Sequence, residues 1–225
     1  MLGMSMVTLI IIGITVIVSM KGFSDFIFFD RYKFQPGPIL HYKQFDRLLT
    51  SGFLHVNTTH LLFNMLTLYF FADVVIQFFT IQTGNTQFGN VLFALVYVLA
   101  ILGGNLLALF FQKNNLNYSA VGASGGVSGI LFASVLAYPD LTLYLFFAIP
   151  IKGWLFAILF LGYSVYGVRN QVGNIGHEAH LGGAIVGLIA PLIINPGLFQ
   201  QNQIYIYGML VPIVILFVMA MRTKK

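Results

Sequence analysis

Residues able to do chemistry are few in this chain, and they cluster at three places. Ser124 sits in Gly122-Ala123-Ser124-Gly125-Gly126-Val127-Ser128-Gly129, His180 in Ala179-His180-Leu181-Gly182-Gly183-Ala184-Ile185-Val186-Gly187, and His60 and Asn64 in His60-Leu61-Leu62-Phe63-Asn64. A serine ringed by glycines at a helix start keeps its hydroxyl and the first free N–H groups accessible, as a nucleophile beside an oxyanion hole requires. The same stretch also reads as packing, because Gly125 and Gly129 form a GxxxG pair. Ala179, Gly183 and Gly187 recur every four residues, a small-residue stripe that would carry the neighbouring His180 towards whatever helix packs there. If that helix holds Ser124, a Ser–His dyad results; otherwise His180 simply hydrogen-bonds a carbonyl. Glu178 points off the His180 face, so no carboxylate completes a triad. His60 and Asn64, four apart on one helix face, are able to donate to a developing oxyanion or to bond between helices.

These residues need helices in a bilayer to position them. Only 8% of the 225 residues are charged, against about 25% in a soluble domain, while 58% are apolar and 16% aromatic. Mean hydropathy is +0.89. That composition implies an integral membrane protein and excludes intrinsic disorder. Eleven scattered basic residues exclude a nucleic-acid face, and the absence of cysteine excludes a disulfide scaffold. At roughly 20 apolar residues per crossing, seven spans are expected: 2–20, 58–79, 88–111, 121–138, 153–168, 177–194 and 204–221. The first reads as a retained helix rather than a cleaved signal, and the whole chain, 1–225, as one membrane domain with no appended soluble part. Spans two, four and six cross in one direction, so His60, Ser124 and His180 start their helices at similar depth. Ionisable groups inside spans are functional candidates by default, which adds Asp73, Ser128, His177 and Glu178 to the list.

The connection from Lys21 to about Asn57 is long and aromatic, with Phe23, Phe26, Phe28, Phe29 and Tyr32 among charges and a helix-breaking Pro36-Gly37-Pro38. It suits the headgroup boundary and contact with membrane lipids; an ordinary solvated loop is the other reading.

Taken together, the three motifs resemble those of the rhomboid family of intramembrane serine proteases, over about Arg47 to Gly187. The family's GxSG is present as Gly122 to Gly125, its AHxxGxxxG as Ala179 to Gly187, and its HxxxxHxxxN as His55, His60 and Asn64. The resemblance implies an all-α polytopic membrane protein, a six-helix bundle at about 40–195 plus one C-terminal transmembrane helix at about 204–221. It also implies a serine endopeptidase that cleaves transmembrane segments of single-span or polytopic membrane proteins, with no cofactor and no metal. Ser124 would be the nucleophile and His180 the general base. His60, Asn64 and the Ser124 backbone N–H would form the oxyanion hole, with Gly122, Gly125, His55 and Arg47 in support. Two positions depart from the family pattern. Asp46 precedes Arg47 where a tryptophan is common, and Ser128 stands where many members have a tyrosine stacked on the histidine.

Two other functions are open to such a chain. One is a non-catalytic relative that binds membrane clients, although such proteins usually lack the serine or histidine that this sequence keeps. The other is a metal-dependent intramembrane protease. His177-Glu178-Ala179-His180 has histidines at i, i+3 where the zinc motif needs i, i+4, and Asn195-Pro196-Gly197 lacks an aspartate ligand. Orientation divides the signals. Of the eleven Lys and Arg residues only Lys152 falls opposite the active-site side, so the positive-inside rule puts that side in the cytoplasm. The resemblance implies a site facing outward, in a prokaryotic cell (inner) membrane, and that orientation is the expectation carried forward.

Overall fold

The computed structural model describes residues 4–145, 149–170 and 176–222. Arg169 is described in its backbone only, and Lys224 and Lys225, counted above among the basic residues, lie outside the described residues. Five helices are long and apolar enough to cross a membrane: α1 (Met6–Ser24), α5 (Thr58–Thr83), α6 (Thr86–Gln112), α9 (His177–Ile194) and α11 (Gln203–Arg222). Two shorter apolar helices lie where the fourth and fifth of the seven spans are expected, α7 (Ser124–Ala137) and α8 (Gly153–Asn170).

The long first connection folds into short helices, α2 (Phe26–Tyr32), α3 (Pro36–His41) and α4 (Arg47–Thr50), followed by a 3-10 turn at Ser51–Phe53. Phe26, Ile27, Tyr42 and Phe45 on it are exposed, the amphipathic surface expected at a headgroup boundary. Arg47 is buried beneath it: Nη1 donates to the carbonyls of Asp30 and Lys33 at 2.8 Å each, and Nε to Gln44 at 2.7 Å. One guanidinium thus ties α2, the turn after it and the approach to α4, a geometry that a lysine's point-like ammonium does not reproduce. Arg47→Ala should leave three part-buried acceptors without their buried donor and lower stability by about 2 kcal/mol, with Arg47→Lys recovering little of it. Thermal melts in detergent and limited proteolysis between residues 26 and 53 would measure both.

Span four is shorter than its apolar run suggests because its first residues are drawn off into backbone bonds. Phe34 and Ala120 exchange N–H···O bonds of 3.0 and 3.2 Å, and Gly122 N–H donates to the Ser51 carbonyl at 3.0 Å. Helix α7 therefore begins at Ser124, and at 1.5 Å per residue it is about 21 Å long. Every residue from Ser124 to Leu136 is buried, so the helix is sheathed by its neighbours. After it, where the sequence suggested only a loop, a two-stranded antiparallel hairpin forms from β1 (Thr142–Leu145) and β2 (Ile149–Lys152).

Helix α9 lies in the crease between α6 and α7. A Cβ on Gly183 or Gly187 would collide with the carbonyls of Gly125 and Gly129 on α7, and one on Gly182 would stand 2.6 Å from the Gly103 carbonyl on α6. These contacts are backbone against backbone. After α9, the short α10 (Leu198–Gln201) leads into α11, which packs on α8. Asn202 Nδ2 anchors this turn to the Leu136 carbonyl at 2.8 Å. Asp73 has a structural partner too: it accepts from the Ser5 N–H at the start of α1, 3.3 Å away.

Candidate active site

The stripe-bearing helix does pack on the serine-bearing one, and His180 arrives at Ser124. Nε2 of His180 is 2.7 Å from Ser124 Oγ, with Ser124 9% and His180 4% exposed. An imidazole nitrogen at that distance from a serine hydroxyl is placed to take its proton as the oxygen attacks.

Gly122 makes room on the other side. Its φ of +138° is one that L side chains rarely adopt, and a Cβ there would lie 2.8 Å from His60 Cε1, 3.0 Å from His60 Nε2 and 3.5 Å from Ser124 Oγ. Glycine is thus required twice, by backbone conformation and by the imidazole pressed against it. His60 Nδ1 is buried and has no hydrogen-bond partner among the described residues. Asn64, one turn along α5, donates from Nδ2 to the His60 carbonyl at 2.9 Å, which leaves its second amide hydrogen available. No side chain caps α7, so its leading N–H groups, that of Ser124 included, have no acceptor within the helix.

His55 supports the turn from below. Its Nε2 accepts from the Ala123 N–H at 3.3 Å and its Nδ1 meets Ser19 Oγ at 2.8 Å, while Ser19 donates to the Phe53 carbonyl at 2.9 Å. The network is consistent only with a neutral, Nδ1-protonated imidazole. Burial, with His60 alongside, pushes the His55 imidazole down to about 3, so it stays neutral through the physiological range. The rings of His55 and His60 meet edge to face at 4.9 Å. Arg47 reaches the site only at a distance, through the loop it holds, whose Ser51 carbonyl receives Gly122 N–H.

Glu178 turns away from His180, as its position in the helix suggested. Its carboxylate accepts from Gln112 Nε2 at 2.7 Å and from the Tyr118 hydroxyl at 3.3 Å. Ser128, at the position of the missing tyrosine, donates to the His180 backbone carbonyl at 2.9 Å. The ring is met instead by α8, whose contribution no motif signalled. Ser164 Oγ lies 2.7 Å from His180 Nδ1, and Phe160 packs over the imidazole with centroids 4.9 Å apart. His177 lies edge-on to the far side at 5.9 Å. Among the described residues no three His, Asp or Glu side chains are grouped to hold a metal ion.

A bundle of apolar helices converging on a buried, hydrogen-bonded Ser–His pair is the architecture of a polytopic membrane protein of the rhomboid type. The family model described as "Rhomboid domain" matches residues 42–196, and the chain belongs to the rhomboid family. It is similar to RHOMBOID-like protein 12, mitochondrial, of Arabidopsis thaliana, 30% identical over 168 residues, covering 68% of this chain and 47% of that protein. It is also similar to Rhomboid protein 1, mitochondrial, of Saccharomyces cerevisiae, 26% identical over 69% of this chain and 44% of that one. Rhomboid-like protein 16, chloroplastic, of Arabidopsis thaliana is 30% identical over 75% of this chain and 53% of its own length. The chain thus spans about half the length of these relatives.

Proposed function

We propose that this protein is an intramembrane serine endopeptidase that cuts transmembrane segments of other membrane proteins. The observation that carries the reading is the 2.7 Å contact between Ser124 Oγ and His180 Nε2 at the uncapped start of a buried helix. In acylation, Ser124 Oγ forms a bond to a peptide carbonyl carbon while His180 takes the hydroxyl proton. The oxyanion is met by the Ser124 N–H together with His60 and Asn64. Collapse breaks the C–N bond, and the leaving amine takes the proton from His180. Water then attacks the ester carbon, giving a proton to His180; the bond from that carbon to Ser124 Oγ breaks, Oγ takes the proton back, and the carboxylic product leaves. A helix hides its carbonyls in i→i−4 bonds, so segments rich in glycine, proline or other weak helix formers near small residues are the favoured substrates.

Integral membrane placement follows from the helices and the family. The relatives' names are mitochondrial or chloroplastic, so the sequence expectation of a prokaryotic inner membrane gives way to the broader statement of an integral membrane protein. Within that membrane, the reading keeps the active-site end of α5, α7 and α9 facing away from the cytoplasm or its equivalent.

Purified protein in detergent should cleave a single-span substrate with a glycine-containing membrane segment, unaffected by chelator. A fluorophosphonate probe should attach to Ser124, as located by mass spectrometry. Cleavage that chelator abolishes, or the absence of both cleavage and labelling, would overturn the serine mechanism; the latter result would point to client binding.

A further inference from the structure

A histidine acts as base only if the nitrogen facing the nucleophile is unprotonated, and among the described residues no carboxylate hydrogen-bonds to His180 to enforce that. Two residues of α8, one helical turn apart, hold the ring instead. Ser164 Oγ sits 2.7 Å from Nδ1, and Phe160 packs on the face at 4.9 Å with an interplanar angle of 36°. Ser164 is 0% exposed, so its hydroxyl is matched within the protein. Hydrogen bookkeeping separates the two tautomers. With the proton on Nδ1, Ser124 O–H donates to Nε2, Nδ1–H donates to Ser164 Oγ, and Ser164 O–H donates to the Phe160 carbonyl 3.3 Å away. All three hydrogens find acceptors. With the proton on Nε2, that nitrogen donates to Ser124 and Ser164 donates to Nδ1. The Ser124 hydroxyl hydrogen is then left without an acceptor among the described residues, an unfavourable state for a buried group.

We infer that Ser164 is the positioning residue of the His180 base, accepting its Nδ1–H and so leaving Nε2 open towards Ser124. The inference rests on the Ser124–His180 reading and goes beyond it by naming what replaces both a carboxylate and the stacked tyrosine. During acylation His180 becomes an imidazolium, and the Nδ1–H bond to Ser164 strengthens as charge develops. A neutral hydroxyl gives less than the roughly 10⁴-fold associated with a triad aspartate. A bond to a charged group corresponds to about ten- to a hundredfold in rate.

Two measurements test this. Protein labelled with ¹⁵N-histidine, with His180 assigned by its loss in His180→Ala, should show the Nδ1–H tautomer in the wild type and a shift towards Nε2–H in Ser164→Ala. A wild-type His180 protonated on Nε2 would overturn the inference whatever the activity. In cleavage assays, Ser164→Ala should lower kcat about ten- to a hundredfold with KM unchanged and only a modest fall in Tm from the unmatched His180 Nδ1, and Ser164→Thr, which keeps the hydroxyl, should regain most of the kcat. A kcat for Ser164→Ala within about twofold of wild type, while Ser124→Ala is inactive, would sink the positioning role and leave the dyad standing. Equal loss in both Ser164 variants with a lowered Tm would reduce Ser164 to packing and likewise overturn it. Full cleavage by Ser124→Ala would instead remove the dyad on which the inference rests.

Discussion

Cleavage by Ser124→Ala, and separately by His180→Ala, should fall by about four to six orders of magnitude, and the double variant should be no worse than either single one. The reason is mechanistic rather than additive. Without Oγ no acyl-enzyme forms, and without Nε2 the hydroxyl, held 2.7 Å from it, loses its proton acceptor. Either loss removes the same step. Any residual rate would come from the oxyanion donors, which these variants retain. Fluorophosphonate labelling should vanish in Ser124→Ala and slow steeply in His180→Ala, because the probe needs an activated oxygen. Ser124→Ala removes a single oxygen and should melt near wild type, whereas His180→Ala empties the space of a buried imidazole and strands Ser164, so its melting temperature should fall while the protein stays folded. Additive losses in the double variant would mean that the two residues act in different steps and would break the pairing.

Helix contacts were legible wherever the signal is a missing side chain. Ala179, Gly183 and Gly187 on one helix and Gly125 and Gly129 on another mark surfaces where two backbones touch, and that marking survives in spacing alone. His180 lies beside its stripe and Ser124 just before its own, so the pairing followed from the packing. The second glycine face was less visible. Gly182 meets Gly103 and Gly104 of α6, but two adjacent glycines in an apolar run carry no period that names a partner.

Other features depended on rotations and turns that the sequence does not encode locally. Ser164 is a lone serine in an apolar helix, and its partner is sixteen residues away on another element; only the roll of α8 about its axis aims it at Nδ1. The hairpin at Thr142–Lys152 runs Thr142-Leu143-Tyr144-Leu145 and Ile149-Pro150-Ile151-Lys152; its alternation lasts only four residues, a proline interrupts the second strand, and no glycine marks a turn between them. The start of α7 was placed early for a related reason. Val121 is as apolar as a helix residue, but the chain there is already committed to Phe34 and Ser51 through backbone bonds. Asn64 was legible as to face and not as to partner, since a bond to the His60 carbonyl on its own helix leaves no trace in spacing.

Gly183→Ala should cost about a hundredfold in turnover and lower the melting temperature, an effect out of proportion to one methyl group. Its Cβ would collide with the Gly125 carbonyl, and that carbonyl belongs to the residue after the nucleophile. Backbone cannot rotate aside as a flexible side chain does, so α9 has to move away from α7. His180 lies three residues before Gly183 and moves with the helix. Displacements of about 1 Å in reacting groups are worth about 10² in rate, so the Ser–His contact fails before the bundle does. Gly187→Ala, against Gly129 one turn further from the site, should destabilise similarly while costing less activity. Gly13→Ala on α1 and Gly162→Ala on α8 have nothing within 4 Å of the added carbon and should leave turnover unchanged and the melting temperature unchanged or slightly raised. Parallel melts and cleavage rates for the four variants would test the ordering. Wild-type turnover in Gly183→Ala would show that the α7–α9 contact does not set the geometry of the Ser–His pair.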